Sequence, residues 1–343
     1  MKMSEKENVG GQAVIEGVMM RGYKKVAIAV RCPDGSIDID VGPTNSVTDK
    51  YPILRKPFIR GVVVLVESLI DGMKSLTYSA QVSGEDEEQL SDVQMALTML
   101  VSVVFAIGLF IILPTWSTHL LKIWTDNTIV LNLAEGFLRL GIFLAYIYAI
   151  SRMDDIKRIF QYHGAEHKLI YTYEAGKRLT PENARPFGRL HPRCGTNFLT
   201  IVMLIGIFIF AFLGWPNLLV RISSRILLMP VIAGISYEII RFAGKHMDKK
   251  WVRTSILPGL LLQNITTREP DDSMLEVAAE ALYAVLPEEQ KEQYVPDTVL
   301  ARRKAEEEAK ALEEAKALEE TALDNEQKVK PAASEVVLVS AKL

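Results

Sequence analysis

Four apolar runs set among highly charged segments constrain this chain most, because about 20 residues without charge are enough to cross a hydrocarbon core roughly 30 Å thick. The first begins at Val93-Gln94-Met95-Ala96-Leu97-Thr98-Met99-Leu100, continues to Leu113 and carries no charge after Gln94. The second, Leu133 to Ile150, holds Glu135 and Arg139 near its start, which suits an interfacial position or an i, i+4 pair. Thr196 to Leu213 is the third and Leu218 to Ile240 the fourth. Gly214-Trp215-Pro216-Asn217 joins them, a tight turn with an aromatic at the membrane boundary. The expected fold is therefore an α-helical polytopic membrane protein with four transmembrane helices and a small cytoplasmic α+β portion. A mean hydropathy of +0.15 over 343 residues, despite a strongly charged tail, agrees.

Orientation follows from the basic residues. Between the second and third runs lie Arg152, Lys157, Arg158, Lys168, Lys177, Arg178, Arg185, Arg189 and Arg193, whereas the loop between the first and second has Lys122. The positive-inside bias places the former loop, and with four spans both termini, in the cytoplasm. Arg221 and Arg225 run against this trend, by snorkelling or through a later start of the fourth span. No cleavable signal is expected, since the polar first residues are not followed by a short apolar stretch with a small-residue cleavage site. Cys32 and Cys194 would both face a reducing compartment, which disfavours a disulfide. The net charge of −3 selects no partner, and sequence-specific nucleic-acid binding is not expected.

The chain divides into 1–56, a β-rich cytoplasmic region; 57–92, an interfacial helix with an acidic linker; 93–150, two spans; 151–195, a cytoplasmic loop; 196–243, two further spans; 244–290, a cytoplasmic segment; and 291–343, a charged tail, helical or disordered. Val26 to Arg31 and Ser36 to Val41 are strand-like around a Pro33-Asp34-Gly35 turn. Before them, Gly10 to Gly22 spaces glycines through an apolar stretch, as close backbone approach requires. The segment from Pro57 to Ala80 contains Glu67, Asp71 and Lys74, which favours an interfacial or core helix over a span. Ser273 to Glu276 reads as a capping box for a helix ending near Val285.

The 151–195 loop gathers three of the five histidines and one of the two cysteines. On a helix, His163 and His167 share a face with Glu166 beside them. His191-Pro192-Arg193-Cys194 adds the short spacing by which a turn or helix start closes on a divalent metal. A thiolate with imidazoles selects zinc over magnesium or calcium. The H-x-x-E-H spacing is also that of inverted zincins, in which the glutamate is a general base. Three readings stand: an open catalytic site, a closed structural site using His163, His167, His191 and Cys194, or no metal at all. Glu174, seven residues after His167, is an alternative third ligand. Glu16 and Arg21 could supply an acid/base and an anion-binding group, or a surface ion pair. Glu238, beside Tyr237 and Arg241 at the end of the fourth run, is either functional or an anchor.

At Gly10 to Arg21, at His163-Gly164-Ala165-Glu166-His167 and at His191 to Phe198, the chain resembles the YqhQ-like bacterial membrane proteins, a family of unknown function labelled a predicted metal-dependent enzyme. The resemblance covers roughly residues 9–290. It implies a polytopic protein of the bacterial inner membrane with a metal site on the cytoplasmic side, and it supplies no substrate.

The favoured expectation is metal-assisted hydrolysis, with Glu166 activating water and the substrate a lipid-linked molecule or a membrane-protein segment at the cytoplasmic interface. The alternative is a scaffold or biogenesis factor docking on a translocon, ribosome or other membrane complex, with the metal loop as a clasp.

Overall fold

The computed structural model describes residues 9–22, 24–44, 46–84, 92–247, 249–316 and 318. Most of the acidic linker expected between Ser83 and Asp92, and the tail beyond residue 318, lie outside the described residues. The chain forms two units, Met1–Tyr294 and Val295–Leu343; in the second, the described part is a helix over 297–316 whose residues from 301 are exposed.

The N-terminal region is an antiparallel meander of β1 (Gly10–Val14), β2 (Gly17–Arg21), β3 (Lys25–Arg31) and β4 (Ile37–Pro43), paired in chain order. The β3–β4 hairpin turns where the Pro-Asp-Gly signal places it, with Arg31 opposite Ile37. The glycine-spaced segment forms the other hairpin, β1 with β2, in register from Gly10–Arg21 to Val14–Gly17. Alternation sorts the strands into two buried faces. Val14, Met19, Ile28 and Val30 meet Tyr78 and Val82 of α2 (Ile59–Ser83), while Val18, Met20, Ala27 and Ala29 form the opposite face. Helix α12 (Asp272–Val285) packs on β2 and β3, and α6 (Asp154–Glu174) packs on β1 and against α12. Each large aliphatic side chain buried in this layer, such as Leu169, Leu275 or Leu282, contributes about 1.5–3 kcal/mol.

The cap of α12 differs from the expected box. Asp271 is the N-cap, accepting from Met274 N at 3.0 Å, and Glu276 turns away to pair with Arg31 at 3.2 Å. An aspartate carboxylate two positions earlier outcompetes the serine hydroxyl for the free amides at the helix start. Short helices α1 (Val47–Lys50), α7 (Pro181–Ala184), α10 (Lys250–Ser255), α11 (Leu257–Thr266) and α13 (Glu288–Tyr294) fill the connections.

Three helical stretches are long and apolar enough to cross a membrane: Ala96–Ile123, Thr128–Ile150 and Leu219–Gly244. The first is a composite of α3 (Asp92–Ile107), a π-turn over Gly108–Ile112 and α4 (Leu113–His119), running on to Ile123. Pro114 explains the irregularity, because a proline within a helix removes one N–H and pushes on the carbonyl four residues earlier. That carbonyl, of Phe110, accepts from Arg139 Nε at 2.8 Å. The second is α5 (Thr128–Ile150), five residues longer at its start than the apolar run because Asn127 caps the amides of Ile129 and Val130. The third belongs to α9 (Leu218–Lys245). The remaining apolar run, α8 (Gly195–Ala211), has 17 residues, a length of about 25 Å at 1.5 Å per residue. Helix α2, as its charges require, is not among the long apolar helices; it lies along α9 and the sheet.

Candidate metal centre

Helix α6 carries the first motif and the start of α8 carries the second. One ligand atom from each of His163, His167 and Cys194 falls within a set whose members all lie within 4.8 Å of one another. His163 Nε2 is 3.1 Å from Cys194 Sγ, and the two α6 imidazoles have centroids 4.5 Å apart. Each ring is held from behind. His163 Nδ1 bonds the carbonyl of Thr266 at 2.8 Å, and His167 Nδ1 bonds that of Arg189 at 2.5 Å. A carbonyl can only accept, so both Nδ1 atoms carry the proton and both Nε2 atoms are left as lone-pair donors. This is the outer-sphere arrangement that fixes tautomer and orientation in metal-binding histidines. His167 Nε2 is buried with no hydrogen-bond partner among the described residues, a cost that a cation at this point would remove. Burial depresses the His167 pKa, further favouring the neutral, ligating form.

Cys194 is the N-cap of α8, its sulfur accepting from Thr196 N at 3.5 Å and lying 3.2 Å from Thr196 Oγ1. The donor set of two bare imidazole nitrogens and one sulfur, with outer bonds in place, fits zinc.

The backbone route to this arrangement depends on glycine at two points. A Cβ on Gly164 would stand 2.0 Å from the carbonyl of Arg268, so only glycine lets the segment after α11 cross α6 closely enough for Arg268 N to reach Phe160 O at 2.7 Å. That same segment brings Thr266 to His163. A Cβ on Gly11 would meet Met19 O at 2.3 Å and Glu166 Oε1 at 3.3 Å, so β1 lies directly on the glutamate.

Glu166 is buried, 4% exposed, with the Gly11 amide bonded to it. Burial raises its pKa, opposed by the nearby His163 and His191 and by the Gly11 N–H. His191 lies beside the cluster: its ring is 5.5 Å from that of His167 and 4.7 Å from Tyr171, and its nitrogens are not in the 4.8 Å set. Burial pulls its pKa down to about 4, against the opposing pull of Glu166. Its main chain is fixed by Gln263, whose Oε1 accepts from His191 N at 2.7 Å and whose Nε2 donates to His191 O at 2.8 Å.

The secondary candidates scatter. Glu174 pairs with Arg193 and stands 3.8 Å from His191 Nε2, at the edge of the cluster. Glu16, at φ +50, takes a bidentate ion pair from Arg158 with both contacts at 2.5 Å, tying the β1–β2 turn to α6. Arg21 points the other way, to Asp71 at 2.8 Å and Glu67 at 3.3 Å on α2. Glu238 pairs with Arg60 and joins α9 to α2. Gln263 and the carbonyls of Thr266 and Arg189 were not legible in the sequence; Gly164, inside an otherwise bulky motif, was the one local hint of a crossing chain.

Residues 56–288 match the family described as "Protein of unknown function (DUF1385)". The chain belongs to that family. It is similar to the "Uncharacterized protein YqhQ" of Bacillus subtilis (strain 168), 36% identical over 293 residues, covering 81% of this chain and 92% of the relative. No solved structure matches it.

Proposed function

We propose that the chain is a metal-dependent hydrolase of the bacterial inner membrane. It crosses the bilayer four times with both termini in the cytoplasm, α8 serving as the short third span, and acts on a membrane-associated substrate at the cytoplasmic face. One observation carries the reading: two imidazoles anchored through Nδ1 leave bare Nε2 atoms beside a sulfur, next to a buried carboxyl. Three donors are one fewer than a closed structural zinc site uses. His163, His167 and Cys194 would hold a zinc ion, which would supply Lewis acidity and acidify water there. Glu166, with its raised pKa, takes and returns the proton, and the Gly11 amide orients its carboxyl. Gln263 and Thr266 hold the ligand-bearing segments in register from α11.

A second reading rests on His191. A modest swing of its ring toward His167 would supply a fourth donor and close the site, turning the cluster into a clasp within a scaffold that docks on a membrane complex. Elemental analysis of purified variants separates the two. Glu166→Gln is expected to keep one equivalent of zinc and the fold while failing to complement a deletion, and His163→Ala to lose the zinc. If Glu166→Gln complements fully and His191→Ala releases the metal, the clasp stands instead. Metal-free wild-type protein that complements overturns both.

A further inference from the structure

At the end of α5 and α8 opposite the histidine–cysteine cluster, charged side chains from the apolar helices are buried together. Arg221 and Arg225, one turn apart on α9, do not reach outward; they are 4% and 7% exposed. The carboxylate bonded to this group is that of Glu135 on α5. Arg139 reaches it at 2.8 Å, Arg225 forms an ion pair with the same oxygen, and Thr115 Oγ1 donates to it at 2.8 Å. Arg225 also donates to Asn132 Oδ1 at 3.2 Å. The partners of Arg221 are neutral: the Thr115 carbonyl at 3.2 Å and the Trp215 ring, whose centroid is 4.0 Å from the guanidinium carbon.

Two guanidiniums therefore share one carboxylate, and the third, that of Arg221, has only neutral partners. An uncompensated buried charge costs several kcal/mol, and more where hydrocarbon surrounds the protein. The Nε atoms of Arg221 and Arg225 are buried and have no hydrogen-bond partner among the described residues. We infer that this cluster is an anion site for a phosphate group, with Arg221 as its principal donor. The reasoning is one of charge and shape. The missing counter-charge is negative, and a guanidinium fork matches two oxygens of a phosphate as an ammonium does not. Arg221 also stands in the first turn of α9, a 28-residue helix whose free amides and dipole favour an anion at that end.

Depth selects where such a phosphate sits. On the four-span reading proposed above, on which this placement rests, Arg221 lies about 5 Å and Glu135 about 10 Å along the axis from the starts of α9 and α5, at 1.5 Å per residue, so that Arg221 is the member of the group nearer the headgroups. Half-buried Trp215, in the Gly-Trp-Pro-Asn turn between α8 and α9, covers Arg221 from the loop side and is the layer a ligand displaces. A phosphodiester lipid headgroup and a free phosphate present the same oxygens, and the test distinguishes them.

The full chain is reconstituted in phosphatidylcholine nanodiscs and its thermal midpoint followed while phosphatidylglycerol is added to the lipid or inorganic phosphate to the buffer. Native mass spectrometry counts retained lipids. Wild-type protein is expected to be stabilised by one of the two at low stoichiometry, and Arg221→Gln to weaken that response at least tenfold, with Lys250→Gln unchanged. Response to phosphatidylglycerol assigns a lipid; response to phosphate alone assigns the soluble anion. Should Arg221→Gln not fold, Arg221→Lys, which keeps the charge and loses the fork, is expected to bind several-fold more weakly. Wild-type protein indifferent to both anions, or a response that survives both Arg221 substitutions, overturns the site. None of these readouts depends on the metal centre.

Discussion

Helices α6 and α3 invert the usual relation between polarity and burial. Helix α6 is rich in charge, yet its stretch from Tyr162 to Tyr173 is almost entirely buried, including Glu166, His167 and Lys168. Helix α3 carries no charge after its first turn, yet Leu97, Leu100, Val104 and Phe105 are all exposed, Val104 by 61%. The difference is one of solvent. A polar helix can be buried in a water-soluble layer when each polar group finds a partner, as Lys168 does with the Arg185 carbonyl at 2.9 Å and with Glu269 at 2.5 Å. An apolar helix can stay uncovered only where the medium is itself apolar. Exposure of α3 is what a helix facing an apolar medium shows, and burial of α6 what a polar layer with paired groups shows.

Substitutions can break or sharpen this contrast. The largest effect is expected from Gly164→Val, whose side chain has no space under the Arg268 carbonyl; limited proteolysis of reconstituted protein should show the β-sheet, α6 and α12 lost while α3 to α5 remain protected. Leu169→Ala, at a fully buried α6 position, should cost about 2–5 kcal/mol in denaturant unfolding. Val104→Lys in α3 should leave the layer of the β-sheet, α6 and α12 folded but penalise insertion by about 2.5–3.5 kcal/mol, measured by the membrane-inserted fraction in a translocon assay. Leu100→Ile, facing the same medium, should shift the thermal midpoint of reconstituted protein by an amount equivalent to less than about 0.5 kcal/mol. An α3 as intolerant of Leu100→Ile as α6 is of Leu169→Ala would mean that α3 is covered by protein instead.

Legibility in the sequence follows the range of the interactions. Three of the four apolar runs, the β3–β4 turn and the His163–His167 face are local patterns, readable from periodicity and spacing, and appear where expected, whereas the remaining run forms a helix of only 17 residues. The early start of α5 was hidden because Asn127 and the polar first turn interrupt the apolar signal without interrupting the helix. The β1–β2 hairpin was obscured by its glycines, which lower strand propensity while permitting tight contact with α6. What set the candidate site apart, the carbonyls behind each imidazole and the Gln263 brace, joins residues far apart in the chain and leaves no trace in any short window.

The break at Pro114 has a consequence for how two apolar helices are joined. The Phe110 oxygen, which loses its usual amide partner at Pro114, accepts from Arg139 of the neighbouring helix, a guanidinium that also pairs with Glu135. The irregular turn of the first apolar stretch and α5 are thus tied by a polar bond, so that each helix answers the other's misfit.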